Sequence, residues 1–136
     1  MSNSNVVLID AQSRRRELLT NALQEFCYPI EAQFEQVQQL IVNHHQLNYD
    51  VIVAGIDLPD SETLRHFAQL NQHQPTAVVM FAEKDTPQII QAAVKAGISA
   101  YIVDDIQPRR LPSIINVAVA RFNEQQTLLS ELAQTK

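Results

Sequence analysis

The chain has 136 residues, 46% apolar and 18% charged, which suits one globular domain with a full core and excludes a disordered tail. A net charge of −5, with only ten Lys and Arg, argues against the clustered basic surface that nucleic-acid phosphates require. No charged n-region precedes an apolar stretch in "MSNSNVVLID", and no apolar run approaches the ~20 residues of a membrane span, so a cytoplasmic protein that binds no membrane is expected.

The first element is a short apolar strand, Val6-Val7-Leu8-Ile9, ended by Asp10. In "SRRRELLTNALQEFCY" Leu18, Leu19, Leu23 and Phe26 have helical spacing, with Ser13 as the expected N-cap. Cys27, the only cysteine, rules out an intrachain disulfide and is expected as a small buried group at that helix's end. "PIEAQF" alternates Ile30, Ala32 and Phe34, as an edge strand does, and "VQQLIVNHH" makes a short helix on Val37, Leu40 and Ile41. "DVIVAGIDLP" is a buried strand ending in a polar turn. Ser61 is the expected cap of "ETLRHFAQLNQ", which turns Leu64, Phe67, Ala68 and Leu70 inward. After the strand "AVVMFA", Thr86 caps a helix with Pro87 in its first turn and Gly97 just past its end. "SAYIVD" is the fifth strand, and Pro108 opens the last helix.

Five β-α units in this order, with unbroken apolar strands, predict a doubly wound parallel sheet covered on both faces. The last helix, from Pro108 to about Thr135, would run ~42 Å, too long for a globule with a radius of gyration near ~14 Å. Leu111, Ile115, Ala118, Phe122, Gln125, Leu129 and Leu132 follow a 4-3 spacing, the seam of a coiled coil. Leu111 to Ala118 are expected on the core, and Phe122 to Leu132 against a second copy in a parallel homodimer.

Cofactor chemistry finds little here. The two glycines, Gly55 and Gly97, are too few and too far apart for a phosphate-binding loop or a dinucleotide fingerprint. His44-His45 are adjacent and expected in solvent, zinc spacing is absent, and no serine sits in a nucleophile elbow. Neither a resident metal nor a cofactor is expected.

In a doubly wound sheet the ligand side is the carboxyl edge of the strands. The residues there are Asp10-Ala11, Gly55 to Asp57, Ala82 and Asp104-Asp105. This arrangement resembles the CheY-like, flavodoxin-like receiver domain of two-component response regulators over nearly the whole chain. The resemblance implies a pair of acidic residues holding magnesium after strand 1 and a phosphorylated aspartate after strand 3. It further implies a Ser or Thr after strand 4 and a lysine after strand 5. The ion and the lysine neutralise the charge that builds up during transfer. In "VLIDAQ" Asp10 matches the first acidic residue, but Ala11 stands at the second. "DVIVAGIDLP" matches the strand-3 pattern through Leu58-Pro59 and puts Gly55 at the acceptor. "VVMFAEKD" has Ala82 for the hydroxyl, and "AYIVDDI" has Asp104 for the lysine and Asp105 for the proline that follows it.

Four of five functional positions thus depart from the family, and a glycine offers no nucleophile. Asp57 lies already in the turn, where the family uses a backbone carbonyl, and is not expected to replace the acceptor. A weak cation site from Asp10, the Asp57 region and Asp104 is one reading of the remaining acids. The other has Asp10 facing Arg14 or Arg15, and Asp104-Asp105 solvated near the N-terminus of the last helix. Arg14-Arg15-Arg16 and Arg109-Arg110 then either pair across the rim or form a solvated face.

The stretch "AGISAYIVDDIQPRRLPSIINVAVARFNEQQTLLSEL" is similar to the end of receiver domains in NasT/AmiR-like regulators, with its Ala-Tyr-hydrophobic-Val-Asp segment and Ala-Arg-Phe step. That resemblance implies a coiled coil leading to an ANTAR domain, an RNA-binding antitermination module. The segment ends about where such a module would begin. The expected organisation is a receiver-like domain over residues 1–121 and the start of a coiled coil over 122–136. Its expected function is non-catalytic signalling and dimerisation, with a regulatory partner protein or small ligand as input. Two other readings stand beside it: a sensor that binds an amine or amide ligand in the emptied acceptor pocket, and a free-standing dimeric adaptor.

Overall fold

Alternation within the strands sets the architecture. The computed structural model describes residues 4–103 and 106–134. In it β1 (Val6–Asp10), β2 (Ile30–Phe34), β3 (Val51–Gly55), β4 (Ala77–Phe81) and β5 (Ala100–Ile102) form one parallel sheet in the order β2-β1-β3-β4-β5. Successive strand residues point to opposite faces. Val7, Ile9, Ile52, Ala54 and Met80 therefore meet the helices on one side, and Val6, Leu8, Val51, Val53 and Val79 those on the other. Every residue of β1, β3 and β4 is buried, while β2 alternates and β5 is half-buried, as edge strands are.

The first face is covered by α2 (Val37–Asn43), α3 (Ser61–His73) and α4 (Pro87–Lys95), through Val37, Leu40, Leu64, Phe67, Leu70 and Ala93. The second is covered by α1 (Ser13–Glu25) and the first half of α5 (Leu111–Gln134), through Leu19, Leu23, Leu111, Ile115 and Ala118. Pro108–Arg110 is a 3₁₀ turn that feeds α5. The chain crosses from β2 to the other side of β1 when it enters β3. The switch point of the fold thus lies between β1 and β3.

Helix ends explain several local differences from the expectations. Asp60, not Ser61, caps α3: its extended backbone lets the carboxylate accept from the Thr63 N–H at 2.7 Å. Ser13 is already helical, and Gln12 precedes α1 without a side-chain cap, its own N–H donating to Asp10 Oδ1. Cys27 is exposed rather than buried. It occupies the left-handed position after α1 (φ 63°), where the Tyr28 N–H reaches Leu23 O and the Cys27 N–H reaches Gln24 O, a geometry that turns its side chain outward. Gly97 fills the same position after α4 with φ 92°, as expected there.

At 24 residues α5 is ~36 Å long, and the sheet covers only its first half. Leu111, Ile115 and Ala118 are buried on the core as expected. Phe122 is not part of an outward seam: it is half-buried and packs against the same cluster, one turn further than expected. Beyond it Leu128, Leu129 and Leu132 are exposed, as is Gln125.

Candidate functional site

The pairing register lines up Asp10, Gly55 and Phe81 across β1, β3 and β4 at the carboxyl edge. Ala82 follows Phe81 immediately, so three of the positions singled out from the sequence, Asp10, Gly55 and Ala82, lie on one rim. Asp10 is the chemically demanding member, because its carboxylate has no solvent exposure. A buried charge is tolerated only when paired and hydrogen-bonded. Asp10 has three donors: Arg15 Nε reaches Oδ2 at 2.5 Å, Arg15 Nη2 reaches Oδ1 at 3.0 Å, and the Gln12 N–H reaches Oδ1 at 2.8 Å. The fork geometry of guanidinium matches a carboxylate side-on in this way.

Arg15 sits in the first turn of α1, where the helix dipole disfavours a cation by ~0.3–1 kcal/mol. Two carboxylates offset that: its Nη1 donates to Asp57 Oδ1 while the rest of the fork holds Asp10. Burial pulls the Arg15 pKa down, but the hydrogen bonds to Asp10 and Asp57, with their charges, outweigh it and hold the pKa above its ordinary value. Arg16 Nη1 donates to the Asp10 carbonyl at 3.0 Å, and its contact with Glu35 is loose at 3.8 Å. Of the expected partners of Asp10 it is Arg15, not Arg14, that faces it.

Gly55 is buried and does not adopt the left-handed conformation that asks for glycine. Space accounts for it instead: a Cβ there would stand 2.1 Å from Asp10 Oδ2 and 2.6 Å from Arg15 Nε. The chain's own ion pair takes the space that a side chain at the acceptor position would use. A cavity of about 540 Å³ opens beside it, bordered by Ala11, Gln12, Glu35, Asp57 and Asp60.

Ala11 is exposed and Ala82 buried, and neither carries an oxygen for metal or phosphoryl. The half-buried Asp57 turns its carboxylate to Arg15, while its carbonyl accepts from the Glu83 N–H at 3.0 Å. Asp104 and Asp105 lie outside the described residues. Among the described residues the magnesium ion implied by the resemblance does not fit: the carboxylates of Asp10 and Asp57 are both bound to the Arg15 guanidinium, whose charge repels a dication. Among the described residues no three His, Cys, Asp or Glu side chains come together as a metal-binding group. None of the described helices is long and apolar enough to cross a membrane.

Comparisons with known proteins agree with this fold. Residues 6–116 match the family described as response regulator receiver domain. The chain is 22% identical to the transcriptional regulatory protein ResD of Bacillus subtilis over 123 residues, which are 90% of this chain and 51% of ResD. It thus spans about half the length of that relative. It is 19% identical to the chemotaxis protein CheY of Thermotoga maritima, over 82% of this chain and 93% of CheY. Among solved structures, the isolated receiver domain of RcsB from Salmonella enterica serovar Typhimurium, in the presence of phosphomimetic BeF3-, superposes with a TM-score of 0.71 at 18% identity. That match covers 89% of this chain and 99% of that one. The receiver domain of a modulated diguanylate cyclase from Desulfovibrio desulfuricans gives 0.77 at 14% identity, covering 90% and 98%. With the matched family spanning most of the chain and the sheet order and helices described above, this chain belongs to the response regulator receiver domain family.

Proposed function

We propose that this receiver domain signals without phosphoryl transfer and performs no catalysis of its own. The observation that carries this is the content of the acceptor position: glycine at the tip of β3, with the Asp10–Arg15 pair in the space an acceptor side chain would take. Receiver chemistry needs a carboxylate nucleophile with a metal ion to neutralise the transferred charge, and neither has a place here. The absence of hydroxyl at Ala82 points the same way. Incubation with acetyl phosphate and Mg²⁺ should leave the intact mass of the chain unchanged. An acid-labile phosphoryl adduct would overturn the reading.

Output is proposed to run through α5. Its outer half carries Leu128 and Leu129 more than half exposed, with Leu132 one turn on at the same heptad spacing. A lone helix with this face is a poor soluble object, whereas a second copy in parallel would cover it. The Ala-Arg-Phe step within α5 supports an antitermination regulator, in which the paired helices would lead into an RNA-binding ANTAR module. The input would be a partner protein or ligand that acts on the rim or on α5.

A further inference from the structure

We propose that the Arg15 guanidinium is the resident cation of this rim, and that Gly55 is the residue its fit requires: the Asp10–Arg15 pair and a side chain at position 55 exclude each other. This deepens the reading above and rests on it only in identifying position 55 with the acceptor.

Backbone conformation does not explain the glycine, since Gly97 alone among the glycines has a positive φ. Crowding does. An added Cβ would meet Asp10 Oδ2, Asp10 Cγ at 2.8 Å and Arg15 Nε, all well inside van der Waals contact. The end of a side chain usually swings aside at little cost. Asp10 is held by three donors and shut off from water, so moving it breaks its contacts with Arg15 and Gln12. The guanidinium also links the end of β1 to the turn after β3, because it donates to Asp10 and Asp57 together. A dication bridging two carboxylates would make the same connection. Arginine makes it permanently, being protonated at every accessible pH and needing no metal supply. The rim is thereby set in one arrangement by a charge that belongs to the fold. Removing that charge leaves two carboxylates facing one space, which is the start of a divalent-cation site.

Two measurements on the whole chain test this. Gly55→Ala should lower the melting temperature by about 10 °C in the wild-type background and by less than about 3 °C in Asp10→Ala, where the obstructing carboxylate is gone. Equal losses in both backgrounds would overturn the proposal. Separately, millimolar Mg²⁺ should leave the wild-type melting temperature unmoved. It should raise that of Arg15→Ala by about 5 °C once the ion is near ten times its dissociation constant. A rise in the wild type comparable with that of the variant would overturn the proposal. Should Arg15→Ala or Asp10→Ala not fold, Arg15→Gln replaces the first in the ion titration and Asp10→Ser, which also lacks the obstructing carboxyl group, the second in the alanine comparison, with the same outcomes decisive. A phosphoryl adduct on the wild type would sink the proposed function but not this exclusion. Equal alanine losses would do the reverse.

Discussion

At the ends of β1 and β3 the chain withdraws a carboxylate from water and supplies donors to both its oxygens, whereas along the outer half of α5 it leaves leucines more than half exposed. Both places lie at the margins of the same domain. In one, a neighbouring arginine and the acid it holds take the space beside the tip of β3. In the other, a helix outruns the sheet that covers it. On the reading proposed above, the pair at the rim takes the space where a receiver would carry its phosphoryl acceptor. Openness on α5 presents apolar surface that, on the same reading, a second copy would bury. Together they support a module whose output depends on what meets its helix and not on chemistry at its strand ends.

The largest effect should come from opening the closed side. Arg15→Ala leaves the Asp10 carboxylate without its charged partner, and breaking a buried pair from one side typically costs about 3–5 kcal/mol. Asp57→Asn removes the other carboxylate, but that one is 40% exposed, so the loss should stay under about 1 kcal/mol. Urea unfolding of the two variants measures the asymmetry. Similar losses would mean that Asp57 and not Asp10 anchors the arginine.

That asymmetry marks the boundary of what sequence could tell. The central strands were legible as unbroken apolar runs, the edge strand β2 by its period of two and the helices by their period of 3.6. That Gly55 stands at the tip of β3 was legible, because the polar turn through Leu58-Pro59 follows it. What fills the gap was legible only as a choice: an arginine in the first turn of a helix, against the dipole, implies a nearby acid, but Arg14 and Arg15 are adjacent and only the fold selects one. Asp60 and Ser61 can both cap a helix, and backbone torsions decide between them. Cys27 reads as a buried small residue until the left-handed turn after α1 points it outward. Phe122 fits a heptad seam as well as it fits the core, and only the reach of the sheet beneath α5 separates the two.

On the open side the expected effect is smaller. Leu129→Ser with Leu132→Ser should weaken self-association about 10- to 100-fold in sedimentation equilibrium, the equivalent of about 1.4–2.8 kcal/mol. The stability of each copy should change by no more than about 0.5 kcal/mol, since both residues are exposed in the single chain. Truncation is a cleaner test if the cut falls after Asn123 and not after Arg121, because Phe122 belongs to the core cluster. A wild type that stays monomeric at every concentration would end the dimer reading.

The smallest effect separates an exposed carboxylate from the buried one on the same rim. Asp60 borders the cavity beside Gly55 and caps α3, and the Thr63 N–H, which donates to it, holds its pKa below the ordinary 3.8. A depressed carboxyl pKa contributes stability above its unfolded value and loses it as pH falls through the folded one. The gap in melting temperature between the wild type and Asp60→Ala should therefore hold steady from neutrality to about pH 5 and close below about pH 4. Asp60→Asn, which caps without titrating, should keep its own advantage over Asp60→Ala through the same range. If the wild-type gap also persists in acid, the cap works as a neutral hydrogen bond, and charge at this rim matters only where Arg15 has enclosed it.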